Sequence, residues 1–240
     1  MSGLPLQPCF VIHRRDYRDS SLLLELFTLN EGRLPAIARG AKSGRAQSAT
    51  LLQPFTPLQV GLIGRGEIKT LGQVEQEGRG LALPGKLLYC GFYLNELLMR
   101  LLQRNDPHER LFAYYFEALS DLAKGEAIDL CLRKFEVRLL QELGYELLLD
   151  RDAETGSPIL PERIYEYRIE QGPIEARGVA TAGGLQVQGR TLLSLHTGTP
   201  MDRAQLVEAK HLMRKILALY LGDRPLKSRE LFRGFADVGR

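Results

Sequence analysis

The hydrophobic period of this chain changes at Leu83-Pro84-Gly85. Ahead of that break, short runs rich in Val, Ile, Leu, Phe and Thr carry the pattern of strands: "CFVIHRRDY", "SLLLELFTL", "RLPAIARG", "TPLQVGLIG" and "GEIKTLGQVEQ". Arg18-Asp19, Asn30-Glu31-Gly32, the Ala41–Thr50 loop and Gly64-Arg65-Gly66 punctuate them. "NEGR" and "GRGE" read as hairpin turns, where glycine supplies a positive φ. Five strands with one longer interruption after the third predict a small closed barrel of the OB-fold type, with a short helix across "SATLLQ" as an option.

Behind the break, leucines recur at helical spacing in "GKLLYCGFYLNELLMRLL". A second helix is expected from "DPHERLFAYYFEALSDLAKG", with Asp106 as N-cap and Pro107 at its first position. A third repeats Ile128, Leu132, Phe135, Leu139 and Leu143 and stops at Gly144. A fourth runs from Asp202 to Leu221, and a last short one covers "KSRELFRGF". Between about 145 and 200 the pattern breaks down, which predicts an irregular insert with two or three small strands. The fold class is therefore α+β: an OB-fold barrel over 1–80, then a mainly helical domain over 81–240 that contains the insert.

The sequence excludes several function classes. No apolar run approaches the roughly 18 residues of a membrane-spanning helix, and "MSGLPLQPC" lacks the pattern of a secretory signal. Cys9, Cys90 and Cys131 lie far apart in apolar settings, the pattern of buried thiols in a reducing compartment. A cytoplasmic protein is expected. There is no GxxxxGK[ST] loop, GxSxG elbow or HExxH pair, and His13, His108, His196 and His211 are isolated. No catalytic constellation remains.

What remains is cation placement. Net charge is +3 over residues 1–80, −4 over 81–200 and +4 over 201–240. In the barrel half, Arg33, Arg39, Lys42, Arg45, Arg65 and Lys69 all fall on the third to fifth strands or their loops, which predicts a groove for nucleic-acid phosphates. "ARGAKSGR" (38–45) holds three of them and no acid. The chain has no Trp, and of Phe10, Tyr17, Phe27 and Phe55 at least two are expected to fill the barrel, so binding is expected to rest on charge. On the last long helix, Arg203, Lys210 and Arg214 share one stripe beside Lys215, opposite the apolar face. Helix 128–143 adds Arg133, Lys134 and Arg138, mixed with Glu136 and Glu142, and a cation stripe rimming apolar helix grooves suits a peptide that ends in acids and one aromatic.

"GRLPAIARGAKSGR", "LLQPFTPLQV", "GRGEIKTL", "LRKFEVRLLQELGY" and "YLGDRPLKSRELFR", in this order, closely resemble the bacterial recombination-mediator and DNA-repair RecO family. The resemblance implies a protein that is not an enzyme. It implies binding of single- and double-stranded DNA, annealing of complementary strands and recognition of the acidic C-terminal tail of single-stranded-DNA-binding protein. With RecR, such proteins help load RecA. The basic positions carried over are Arg33, Arg39, Lys42 and Arg45 in the barrel and Arg133 for the tail, with Lys210, Arg214 and Lys215 beside it. Many family members bind zinc through two CxxC pairs in the insert. Here Asp152 and Thr155 stand at the first pair and "GGLQVQG" supplies no cysteine, so no zinc or other cofactor is expected and packing alone must hold the insert. The competing reading is a protein-only adaptor whose barrel binds a partner protein. Salt dependence separates the two.

Overall fold

The computed structural model describes residues 5–42, 50–145, 147–176 and 185–231. They form two compact units, Met1–Gly125 with Pro225–Arg240, and Glu126–Arg224.

The first unit is built on five strands: β1 (Gln7–Tyr17), β2 (Ser21–Thr28), β3 (Gly32–Ala38), β4 (Leu58–Ile63) and β5 (Lys69–Gln76). They close a barrel in the order β1-β2-β3-β5-β4, with β3 and β5 parallel and the first residues of β1 sealing against β4. Gly32 (φ +68°) and Gly64 (φ +108°) hold the expected turns. The barrel interior is aliphatic: Val11, Leu24, Leu26, Leu34, Leu52, Leu58 and Val60 are wholly buried. Each such side chain stabilises the fold by about 1.5–3 kcal/mol.

The expectation that aromatics fill the barrel is corrected by the register. Phe10 stands opposite Phe27, and both occupy the alternate positions whose neighbours Val11 and Leu26 point inward. They therefore lie on the outer face, against helix α2 (Glu109–Lys124), where Phe10 meets Phe112 at 5.5 Å and Tyr115 edge-on at 5.1 Å. Helix α1 (Lys86–Leu101) covers Phe55, whose ring lies 5.4 Å from Phe92. Helix α2 begins two residues later than expected. Its N-cap is His108, and the Asp106 carbonyl instead approaches Gly32 so closely that a Cβ there would sit 2.0 Å from the oxygen. The segment 227–231 is helical, and the Glu96 carboxylate caps it by accepting from the amides of Lys227 and Ser228, both at 2.9 Å.

The second unit holds α3 (Ile128–Glu142), the strands β6 (Ile164–Arg168), β7 (Gly172–Glu175) and β8 (Leu185–Gln188), then α4 (Gly189–Thr197) and α5 (Arg203–Leu221). Its sheet has the order β7-β6-β8. The insert is thus more regular than expected, because α4 is a helix the sequence pattern hid. A capping box, with Gln205 N donating to the Asp202 carboxylate at 2.9 Å, starts α5.

Packing is also not all that holds the insert. The buried Asp152 side chain accepts from the amides of Glu154 and Thr155 (2.9 Å each), from the Thr155 hydroxyl (3.2 Å) and, through its second oxygen, from the amide of Glu175 in β7 (2.7 Å). Burial alone would raise the Asp152 pKa. The three amides and the hydroxyl outweigh it and hold the carboxyl below its ordinary value.

Candidate nucleic-acid interface

The site begins with where β1 stops being part of the barrel. Only Gln7–Cys9 pair with β4, whereas β1 pairs with β2 as far as Tyr17. A register shift between Val11 and His13 marks the departure. Asn95 of α1 fixes it, donating from Nδ2 to the Ile12 carbonyl at 2.9 Å while the Tyr115 hydroxyl donates to its side-chain oxygen. Beyond it, His13, Arg14, Arg15 and Asp16 are all exposed, in a run no half-buried strand sustains.

The register sorts these residues by face. Arg15 stands opposite Leu23, and Leu23 opposite Ile37; Tyr17 lies two residues on, opposite Ser21. Directly opposed residues share a face, so Arg15, Tyr17, Leu23 and Ile37 lie on the outer face that α2 covers further along. Leu23, Ile37 and Tyr17 are half-buried, and Arg15 is exposed. Arg39 follows the last paired residue of β3 and is exposed at the same end. Arg18 occupies the left-handed region (φ +53°) in the β1–β2 turn, which brings its guanidinium 5.3 Å from the Tyr17 ring centroid.

Arg15, Arg18 and Arg39 make no ion pair or hydrogen bond with any described residue. The opposite phase of β1 is engaged. Arg14 reaches the Leu52 carbonyl at 3.4 Å, and Asp16 accepts from Lys42 Nζ at 2.8 Å. This corrects the reading of Lys42 as a cation with no acid nearby, since Asp16 is 26 residues away in sequence. Arg45 lies outside the described residues.

Of the six barrel cations singled out from the sequence, the five among the described residues do not share one groove. Arg33 turns into the fold: its side chain is 14% exposed, its Nη1 donates to the Met99 carbonyl at 2.6 Å, and Glu25 lies 3.9 Å away. Burial lowers the Arg33 pKa, with Glu25 pulling the other way. Arg65 and Lys69 lie at the opposite end, by the β2–β3 turn. There Lys69 donates to the Gly64 carbonyl at 3.0 Å and faces Glu31 at 3.6 Å, while Arg65 is exposed. Sequence reasoning passed over Arg14, Arg15 and Arg18, and counted Tyr17 only among the aromatics of the barrel half. The signal was present in "HRRDYRD", where a strand pattern runs on with no apolar alternation.

In the second unit, Lys210, Arg214 and Lys215 are exposed on α5, opposite the buried Ala209, Met213 and Leu217. Val207 (50% exposed) and Leu219 (46%) bracket them. Lys210 lies 3.7 Å from Asp129. Arg133 is buried and paired with Glu136.

Among the described residues no group of three or more His, Cys, Asp or Glu side chains is placed to hold a metal ion, and no helix is long and apolar enough to cross a membrane. The residues present do not fit the thiolate zinc site that the family resemblance raises. Asp152 already accepts four hydrogen bonds, and Cys9, Cys90 and Cys131 are each buried in the two units' cores.

A closed five-stranded barrel in this order, extended by a cationic hairpin and followed by a helical unit, defines an OB-type binding protein. Comparison with known proteins narrows the class. The N-terminal family profile of recombination protein O matches residues 1–78 and its C-terminal profile matches residues 85–230. A DNA repair protein RecO of Nitrosospira multiformis is 47% identical over 97% of this chain and 96% of its own length. That of Methylococcus capsulatus is 50% identical over 97% and 94%, and that of Coxiella burnetii 42% identical over 94% and 97%. The chain belongs to the RecO family, a family of recombination mediators in DNA repair and not of enzymes.

Proposed function

We propose that this protein binds single- and double-stranded DNA through the rim formed by Arg15, Arg18, Arg39 and Lys42, and anneals complementary strands there. The observation that carries this reading is that Arg15, Arg18 and Arg39 have no ion-pair or hydrogen-bond partner among the described residues. Unpaired arginines are available to phosphates, and charge that holds a strand without reading its bases leaves it able to slide into register. Arg65 and Lys69 extend the reading to a second, weaker contact at the other barrel end.

The exposed stripe of α5 supports a second contact, with the acidic C-terminal tail of single-stranded-DNA-binding protein. Lys210, Arg214 and Lys215 face its carboxylates, and Val207 and Leu219 offer apolar surface to its hydrophobic side chains. In this reading the protein acts on coated gaps at the nucleoid, in the cytoplasm, and with RecR promotes RecA loading.

The test is annealing of two complementary oligonucleotides coated with single-stranded-DNA-binding protein, with and without that protein's tail. Annealing that needs the tail supports both contacts. Annealing with either coat keeps the DNA role and removes the α5 contact. No annealing favours a protein-only adaptor.

A further inference from the structure

We infer that the hairpin tip discriminates in favour of single strands by stacking an unpaired base on Tyr17, with Arg15, Arg18 and Arg39 holding the flanking phosphates. The inference rests on the DNA-binding reading and adds a subsite to it.

The burial of the aromatics is what singles out this ring. Phe10, Phe27 and Phe55 are 2%, 0% and 5% exposed, locked under α2 and α1. Tyr17 alone among the barrel's aromatics keeps accessible surface, and it keeps it among the unpaired cations. The adjoining row of the same face, Leu23 and Ile37, is apolar and half-buried, which gives a base edge a dry floor beside the ring. The chain also tolerates a left-handed, non-glycine residue at Arg18, a conformation that is costly and here sets a guanidinium over the ring.

A duplex shows its base edges but not its base faces, so it meets this patch with phosphates only. A single strand can turn a base onto the ring. The base takes the ring face away from Arg18, or exchanges with the guanidinium, which stacks on bases in the same way.

The experiment measures the affinity of the full chain for a fluorescent oligo-dT and for a blunt duplex of equal length, at one fixed salt concentration. Tyr17→Ala should weaken oligo-dT binding by roughly tenfold and leave duplex affinity within a factor of about two, because the phosphate contacts are unchanged. Tyr17→Phe should bind both as the natural protein does. Equal losses on both DNAs, no loss on either, or a Tyr17→Phe as impaired as Tyr17→Ala would each overturn the stacking subsite while leaving the DNA-binding reading in place. If the natural protein binds neither DNA, both readings fall. Photo-crosslinking of a 5-iodouracil oligonucleotide to the natural protein gives a readout that does not depend on any variant folding. The adduct should map to Tyr17, and an adduct mapping to other residues alone would overturn the inference.

Discussion

Arg133 and Glu136 stand one turn apart on α3 and close a two-point ion pair that water scarcely reaches, with side chains 6% and 1% exposed. Arg133 Nε donates to Glu136 Oε2 at 2.7 Å, and Nη2 donates to the other oxygen. Removing either member breaks an almost fully buried ion pair, so this arginine is an element of the fold before it is anything else.

Arg133→Ala should therefore destabilise the second unit by about 3–5 kcal/mol, while Arg133→Met combined with Glu136→Leu should recover most of that loss. Urea denaturation measures both. Titrating the double variant with a peptide of the acidic tail then separates structure from recognition, and binding as tight as the natural protein's is the expected outcome. A folded double variant that no longer binds the tail would return Arg133 to the recognition surface.

Asp152 makes the insert sensitive to acid. Its folded pKa lies below the unfolded value, so the unfolded chain takes up the proton more readily. The stability it contributes is complete above the unfolded pKa of about 3.9 and is lost as the pH falls through the folded value. Denaturation of the natural protein should become easier on acidification below about pH 4, and Asp152→Asn should be less stable at neutral pH with a flatter acid response. A chelator should leave the melting temperature unchanged. A chelator-induced drop would show that metal, not the carboxylate, holds the insert.

The barrel was legible because each of its strands separates an aliphatic inside from another environment, and alternation records that separation. Gly32 and Gly64 recorded the turns for the same local reason. What the sequence could not record is which environment lies outside. Phe10 and Phe27 alternate as core residues do whether they face the barrel axis or α2. Charge pairing was hidden by distance: Asp16 and Lys42 meet only because β1 and β3 end together, and Arg33 meets Met99 across 66 residues. The cation rim was half visible, since Arg39 was singled out among the barrel cations while Arg15 fell inside a strand run and Arg18 in the punctuation after it. Helix α4 escaped because it is nine residues long and starts at a glycine. That glycine is required by the Leu160 carbonyl, 2.0 Å from where a Cβ would be.

Gly32 ties the barrel to the connection between α1 and α2. A methyl group there would meet the Asp106 carbonyl oxygen at 2.0 Å, and the backbone already sits at φ +68°. Gly32→Ala should cost well over about 1 kcal/mol, because strain and collision add. Thermal unfolding measures the loss. A variant as stable as the natural protein would mean that the 103–107 connection is free to move off the barrel.

The final prediction concerns the charge of the rim. For single strands the logarithm of the binding constant falls with the logarithm of salt by about 0.7 for each phosphate contacted. Replacing Arg15, Arg18 and Arg39 together by Ala should therefore lower the magnitude of the slope by about 2 as well as weaken binding at low salt. Lys42→Ala should change the slope less than any one of the three arginines, because Asp16 already neutralises its ammonium group. The three arginines are exposed side chains with no ion-pair or hydrogen-bond partner among the described residues, and Arg18 adds only an exposed ring contact with Tyr17, so the triple variant should unfold close to the urea concentration of the natural protein. An unchanged slope in the folded triple variant would move the DNA contact away from this rim, to Arg65 and the opposite end of the barrel. If Lys42→Ala matched an arginine variant, the Asp16 pair would have to open on binding, and Asp16→Asn would then strengthen binding.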